Sequence, residues 1–546
     1  MPATAAPSQE APSFASEDLL FTPATPHADA VPLIFAFPNQ YSVGITSLGY
    51  QMVWAWLAQR SDLQVSRLFT DLQESLPAEP ELLGVSFSWE LDYGHIFDLL
   101  EQLQIPLLSR DRSAAHPLVF GGGPVLTGNP EPFADFFDVI LLGDGEVLLD
   151  PFIAGYQAVR GADRTQKLRH LAQIPGIYVP SLYAVTYTDP EGPIASITPI
   201  DSSIPATVTK QTHRGNRLSA STVVTPQAAW ENIYMVEVVR SCPELCRFCL
   251  ASYLTLPFRT ADLGDGLIPA IDRGLEVTQR LGLLGASVTQ HPQFPELLQH
   301  LAQPAYDGVR LSLSSVRTNT VTETLARVLS QRGSQSLTIA VESGSERVRR
   351  IVNKKLETAE ITAAAQQAKA GGLRGLKLYG MVGIPGESAE DVEATAEMML
   401  GLKQAAPGLR LTLGCSTFVP KAHTPFQWQG LNPEAQKRLK QLQKRLRPQG
   451  IDFRPESYNW SVIQALLSRG DRRLGPLLLQ VRHYGDSLGS YRRGFKALRG
   501  QLPPLEFYVQ ADWPIDRVLP WSHLQGPLPL GTLQKHHGEA LSLMGR

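Results

Sequence analysis

Between Val31 and Asp150, four short apolar runs (VPLIFAF, LLGVSFS, HPLVFGGG and FDVILLGDGE) alternate with turn-forming clusters, and the amphipathic stretches LGYQMVWAWLAQ and YGHIFDLLEQLQ fall among the earlier ones. Short apolar runs bounded by Gly, Pro and Asn read as buried strands, and 3.6-residue periodicity reads as helix. Strands alternating with helices predict a doubly wound parallel sheet over residues 29–150, with ligand-facing loops at the strands' carboxyl ends. Residues 151–225 carry GIYVPSLYAVTY and ASITPI, which predict small antiparallel strands in a connecting subdomain. A second alternating array starts at NIYMVEVVRS and runs through GLLGASV, VRLSLSSV, SLTIAVESG, LKLYGMVGIPGE and RLTLGCSTFVP. With AEITAAAQQAKAGG and SAEDVEATAEMMLGLKQ as helices between strands, it predicts a partial or full β/α barrel over residues 226–430. The helical NPEAQKRLKQLQKRLRPQG then opens a small helical or α+β C-terminal region, residues 431–546.

Residues 1–28 are rich in Ala, Pro, Ser and Thr, a composition that predicts a disordered tail, and they lack the basic and apolar regions of a secretory signal. Hydrophobic residues make up 43% and charged residues 18% of the chain, and the net charge is −3, so overall charge points to neither nucleic acid nor membrane. Basic residues outnumber acidic ones between Glu434 and Arg499, which suits an acidic partner or a solvated helix face. No apolar run approaches the ~20 residues needed to cross a bilayer. The chain has 4 cysteines and three of them sit together, so a disulfide framework is excluded and a reduced, cytoplasmic compartment is expected.

Cys242, Cys246 and Cys249 lie in VEVVRSCPELCRFCLASY, spaced C-x-x-x-C-x-x-C directly after the first strand of the second array. Thiolates on one loop can converge on an iron–sulfur cluster, and three ligands on a four-iron cube leave one iron open for chemistry. A structural zinc site is the alternative, but it needs four ligands, and the next His or Cys downstream is the distant His291. Cys415 reads as a core thiol.

This loop, with Phe248 before its last cysteine, resembles that of the radical S-adenosylmethionine (SAM) enzymes. The resemblance implies that Cys242, Cys246 and Cys249 hold a 4Fe-4S cluster, that SAM chelates the open iron, and that one-electron reduction cleaves SAM to a 5′-deoxyadenosyl radical. It implies further that Phe248 packs toward the adenine and that Ser287, in GLLGAS, stands where the family has Gly-Gly-Glu for the SAM amino group. LSSVR contributes Ser314 and Ser315. AVESGSERVRRIVNK contributes Glu342, Ser343 and Arg349 to a ribose and carboxylate site, and MVGIPGES contributes Gly383 and Gly386 to an adenine-flanking turn. Each also has an ordinary structural reading as a cap, a strand end or a surface ion pair.

A doubly wound domain ahead of such a barrel resembles the cobalamin-binding subclass, and the match of NQYSVGITSLGYQ, GVSFSWELDYG and PLVFGGGPVLTGNPEPFADFFDVILLGDGE points to a bacterial family of these fused proteins. Asn39, Tyr41 and Gly44 stand at the spacing of a cobalamin loop that usually has Asp, His and Gly, so the cofactor is expected without a His lower ligand. Gly121 and Gly122 would let backbone approach a corrin. A flavodoxin-like domain without cofactor is the alternative. The implied function is reductive SAM cleavage followed by cobalamin-dependent methyl transfer to an unreactive carbon, with an electron donor such as flavodoxin or ferredoxin. The alternatives are a cobalamin-independent isomerase, cyclase or RNA-modifying enzyme, and a non-catalytic iron–sulfur protein. Lys421, His423 and Trp428 are candidates near the substrate, and Arg469, Asp471, Arg472 and Arg473 form a cluster suited to an anion or to another domain.

Overall fold

A computed structural model describes residues 12–314 and 316–545. Strands β1 (Val31–Ala36), β2 (Leu63–Leu68), β3 (Leu82–Ser86), β4 (Leu118–Gly122), β5 (Val139–Leu141) and β6 (Ile177–Tyr178) form one sheet in the order β2-β1-β3-β4-β5-β6. All pairings are parallel except the last. Helices α1 (Leu48–Ala58), α2 (Tyr93–Gln102) and α3 (Gly145–Ala158) connect or follow these strands. Both faces of the sheet are covered, so β1 and β3 are apolar almost throughout, as a central parallel strand requires.

The strand β2 was not legible, because LQVSRL carries an arginine. Arg67 is nevertheless buried, and its guanidinium forms a bidentate pair at 2.8 Å with Glu17, whose carboxylate is equally buried. That pairing corrects the expectation of a disordered tail. Residues 1–11 lie outside the described residues, but Phe14 packs edge-on against Tyr41 at 5.5 Å, and Asp18–Leu19 pairs antiparallel with Val223–Val224. A buried charge pair, an aromatic contact and a strand pairing give the segment the anchorage its composition does not advertise. The connecting stretch also differs from expectation. It begins inside α3, gives β6 to the front sheet, and keeps one hairpin, Tyr183–Tyr187 with Ile194–Pro199.

The second array consists of β7 (Ile233–Glu237), β8 (Arg280–Leu284), β9 (Arg310–Leu313), β10 (Ser336–Glu342), β11 (Gly375–Val382), β12 (Arg410–Thr417) and β13 (Asp452–Pro455). They pair in parallel and in sequence as β7-β8-β9 and β10-β11-β12-β13, and an isolated bridge between Val316 and Ile339 joins the two sets into a partial barrel. Helices α4 (Glu346–Ile351), α5 (Thr358–Ala370) and α6 (Ala389–Ala405) belong to its outer layer. Capping boxes Glu357/Glu360 and Ser388/Asp391 start α5 and α6 by satisfying backbone N–H groups that the helix itself leaves free. On β11, Leu376 and Leu378 are buried in the barrel's apolar core, whereas the alternate residue Tyr379 is 57% exposed on the opposite face.

Helices α7 (Ala435–Leu446), α8 (Tyr458–Arg469), α9 (Leu474–Tyr484) and α10 (Leu530–Leu543) follow the barrel. Helices α8 and α9 share most of their hydrophobic core with the front domain, whereas Ala540 of α10 packs with Val348, Ile384 and Phe418 of the barrel. The stretch RGDRR is the clasp between the C-terminal region and the front domain. Arg472 donates to the buried Glu131 at 2.7 Å, Asn129 Nδ2 donates to the Gly470 carbonyl at 2.9 Å, and the hydroxyls of Tyr93 and Tyr491 meet at 2.7 Å. Arg469, fully buried, lies 3.6 Å over the Trp513 ring, and Arg473 pairs with Asp471 at 2.7 Å. The arginines of this cluster are therefore engaged by other parts of the chain, Arg469 with Trp513 and the Ala511 carbonyl and Arg472 with Glu131. Among the described residues, no helix is long and apolar enough to cross a membrane.

Candidate active site

After β7 the chain enters a loop bracketed by a short antiparallel pair, Val239–Arg240 with Arg259–Thr260. Ser241 and Leu245 adopt positive φ values of 71° and 53°, costly conformations for residues with side chains, and together they turn the cysteines inward. All three cysteines are free, and Cys246 is buried. Burial pushes the Cys246 thiol up to about 12, with Lys354 opposing the shift, and it raises Cys249 as well. Cys242 and Cys249 act electrostatically on Cys246, so the three sulfurs share one neighbourhood. Thiols held this far toward the protonated form ionise when a metal centre supplies the positive charge. Among the described residues, no three His, Cys, Asp or Glu side chains converge as the ligands of a single ion would. A cube distributes its ligands over separate irons, so three thiols on one loop suit a cluster better than a lone zinc ion.

The loop is fastened to the turn after α4. Asn353, at φ 58°, donates its amide to the carbonyls of Glu244 at 3.2 Å and Leu245 at 2.9 Å. The Arg247 backbone N–H donates to the Val352 carbonyl at 2.9 Å, and its guanidinium donates to Ile351 O at 2.9 Å and to Glu539 of α10 at 2.9 Å. Helix α10 thus covers the loop from outside. Phe248 rests on a small apolar cluster that includes Val348, Ile384 and Phe418.

Cys242, Cys246, Ser287, Ala340 and Lys354 line a common cleft. Ser287 donates to Gln290 Oε1 at 2.6 Å, Gln290 Nε2 donates to Glu244 at 2.6 Å, and Glu244 pairs with Arg317 at 3.1 Å. Ser314 Oγ donates to the Gly285 carbonyl at 3.1 Å, which ties the ends of β8 and β9 together; Ser315 lies outside the described residues. Glu342 closes β10 at φ 63° after a register shift, and its carboxylate pairs with Lys354 at 2.9 Å. Burial opposes the charge on Lys354, but Glu342 and the Cys246 thiol outweigh it and hold the ammonium above the ordinary lysine value. Sequence reasoning missed Lys354, since a lysine after a helix end carries no local mark of burial.

Other expected residues turn inward. Arg349 is fully buried and donates at 2.8 Å to Ser343 O, Leu356 O and Thr358 Oγ1, so it braces the turn from behind and leaves no donor pair for a carboxylate ligand. Ser343 accepts the Ser345 N–H at 3.1 Å. Gly383 and Gly386 have φ values of 74° and 79°; a Cβ on the first would meet Ala435 and on the second Met544, so these glycines admit the C-terminal helices. Cys415 is buried in the barrel core, and burial raises its thiol well above the usual range. Lys421 pairs with Glu90, and Trp428 is buried; His423 is a neutral core imidazole that burial lowers to about 4.

Between the carboxyl ends of the front sheet and the barrel lies a cavity of about 480 Å³. Its inner part runs between the sheet and the helices α1 and α3, walled by Phe35, Met52, Phe120 and Leu148. Its outer part reaches Ser241, next to Cys242, and the bare backbone of Gly285–Ala286. Ion pairs cross the seam here: Arg240 to Glu146 at 2.8 Å and Arg259 to Asp144 at 2.8 Å. Gly122 lines this cavity, as does Gly123 at φ 111°. Asn39, Tyr41, Gly44 and Gly121 do not. Tyr41 is fully buried between Phe14 and Phe69, and its hydroxyl donates to Glu17 at 2.6 Å. Burial, reinforced by Glu17, raises that phenol far above its ordinary value and keeps it protonated, so Tyr41 is a core residue and not a metal ligand. Asn39 donates to Asp92 at 3.1 Å; the Cβ that Gly44 lacks would strike Phe69, and the one Gly121 lacks would strike Phe137.

Residues 57–180 match the family model described as radical SAM proteins, N-terminal, and residues 236–399 match the radical SAM superfamily. An uncharacterized protein of Methanocaldococcus jannaschii, MJ0966, is 26% identical over 453 residues, spanning 81% of this chain and 89% of that one. Among solved structures, the radical S-adenosylmethionine methyltransferase TsrM from Kitasatospora setae, with cobalamin and a [4Fe-4S] cluster bound, superposes with a TM-score of 0.48 at 14% identity, over 73% of this chain and 76% of that one. The cobalamin-dependent S-adenosylmethionine radical enzyme OxsB gives a TM-score of 0.46 at 12% identity, over 67% of this chain and 51% of that one.

Proposed function

The chain belongs to the radical SAM superfamily, and from that premise we propose that it is an enzyme that transfers a methyl group, carried by cobalamin, to an unreactive carbon. The observation that carries this reading is the apolar cavity that begins between the front sheet and its helices and ends beside the cysteine loop. A flat cofactor would be held there by Gly122, Gly123 and the apolar wall of Met52 and Leu148. Cys242, Cys246 and Cys249 would hold the 4Fe-4S cluster of the family; with SAM on the open iron it supplies the one-electron cleavage that starts radical chemistry, and cobalamin supplies the methyl carrier.

The chain's own residues position and enclose. The chain Ser287–Gln290–Glu244–Arg317 fixes a polar wall beside Cys242, whose thiol donates to Gln290 Oε1 at 3.9 Å. Gly285 and Ala286 keep the passage between cavity and cleft open, and the ion pairs at the seam hold the two domains against each other. Gly122, Gly123 and Leu148 would contact cobalamin, while Tyr41 and its loop supply no lower ligand. An electron donor such as flavodoxin or ferredoxin would reduce the cluster.

Anaerobic reconstitution with iron, sulfide and hydroxocobalamin tests the reading. Cobalt should bind at about one per chain with a shifted visible spectrum, and Leu148→Trp, which fills the slot, should lower cobalt and leave iron unchanged. Dithionite-reduced protein should form 5′-deoxyadenosine from SAM, and Cys246→Ala should abolish it. SAM cleavage without cobalt uptake would sink the methyl-transfer reading and leave an enzyme whose front cavity receives substrate.

A further inference from the structure

Lys354 has no part in the ligand set, yet it occupies an unusual place. Its ammonium pairs with Glu342 at 2.9 Å, its side chain is only 14% exposed, and it shares the cleft wall with Cys242 and Cys246. Its main chain is held where its backbone N–H donates to the Arg349 carbonyl at 2.7 Å and where the preceding Asn353 is bonded to the cysteine loop itself, and the Glu342 carboxylate holds the ammonium. A four-iron cluster on three thiolates is an anion, and it gains a further negative charge when it is reduced. A fixed cation in a poorly solvated cleft favours the more negative state, and a fixed anion disfavours it, because Coulomb interactions are weakly screened there.

We propose that Lys354 is a positioning residue that raises the reduction potential of the cluster and orients Glu342, with the Glu342 carboxylate tempering that effect. The inference rests on the cluster reading above and concerns this chain's residues, not the substrate. It has a two-signed consequence. Removing the cation should make the cluster harder to reduce, and removing the paired carboxylate should make it easier.

The test is an EPR-monitored dithionite titration of the reconstituted full-length protein without SAM, with iron and sulfide measured in every sample. Lys354→Met should shift the midpoint to more negative potential, Lys354→Arg should keep it near wild type, and Glu342→Gln should shift it to more positive potential. A Lys354→Met midpoint equal to wild type at full iron content overturns the inference, as does a negative shift in Glu342→Gln. Should Lys354→Met take up no cluster, the sign of the Glu342→Gln shift decides alone. Wild-type protein that assembles no cluster refutes the cluster reading itself, a different result from an assembled cluster indifferent to both residues.

Discussion

Replacing Arg472 by methionine would strand the carboxylate of Glu131 inside the joint between front domain and C-terminal region. Glu131 is 1% exposed. Its oxygens are served by Arg472 at 2.7 Å and by the Tyr178 hydroxyl at 2.5 Å, with His523 at 3.6 Å. Burial opposes ionisation of Glu131, but Arg472 and then His523 outweigh it and hold the group below the ordinary carboxylate range. Removing one partner of a buried pair costs about 3–5 kcal/mol, mostly because the remaining charge has no counterpart. In Glu131→Gln with Arg472→Met no charge is stranded, so the loss should fall to about 1–3 kcal/mol, the cost of imperfectly satisfied polar groups. The two changes should therefore be strongly non-additive. Urea denaturation at neutral pH, followed by tryptophan fluorescence and far-UV circular dichroism in parallel, reads both values and reveals any separate transition of the barrel. A single variant destabilised by less than about 1 kcal/mol, or a double variant no better than the single, would falsify the account of the clasp. Because the folded Glu131 is depressed, its stabilisation is complete at neutral pH and is lost as pH falls below the ordinary carboxylate value of 4.5 and on through the folded one.

Three further outcomes are expected. Tyr41→Phe removes the hydroxyl that serves buried Glu17 and should cost about 1–2 kcal/mol with cobalamin uptake unchanged; loss of uptake would return the residue to the cofactor site. His523 and His423 are each lowered to about 4 by burial, so the unfolded chain takes up their protons first, and stability should fall as pH drops from 6.5 toward 4 by roughly 3 kcal/mol for each residue. His523→Gln should flatten that slope in melting temperature against pH, and an unchanged slope would contradict the assignment. Arg349→Met leaves the buried carbonyls of Ser343 and Leu356 unserved and should cost roughly 2–4 kcal/mol, and Arg349→Lys should recover only part, since an ammonium cannot reproduce the planar fork.

The strands at the centres of both sheets were legible because each is an apolar run between turn residues, and the cysteine loop was legible because its chemistry is confined to eight consecutive positions. What stayed hidden was long-range. Arg67 made β2 read as polar because its partner, Glu17, lies in a segment whose composition suggests disorder. The spacing of Asn39, Tyr41 and Gly44 survives as a turn, but Phe14 and Phe69 claim the aromatic ring, and no local pattern announces them. RGDRR read as suited to an anion or to another domain, and Glu131, far upstream in the front domain, takes Arg472. Lys354 differs from its neighbour Lys355 only in where the turn after α4 points each ammonium.

The seal over the cysteine loop has a consequence for how the protein is made. Helix α10, which holds Arg247 through Glu539 and Tyr253 through His536 at 3.0 Å, is encoded far downstream of the cysteines. A ribosome adding about 5–20 residues per second leaves the nascent loop uncovered for on the order of tens of seconds. Iron and sulfide can be delivered during that interval to a site that is open from outside. Once α10 docks, delivery is confined to the cleft that Cys242 and Cys246 line, so cluster loading into finished protein should be slower than loading during synthesis, and shortening α10 should reduce the difference.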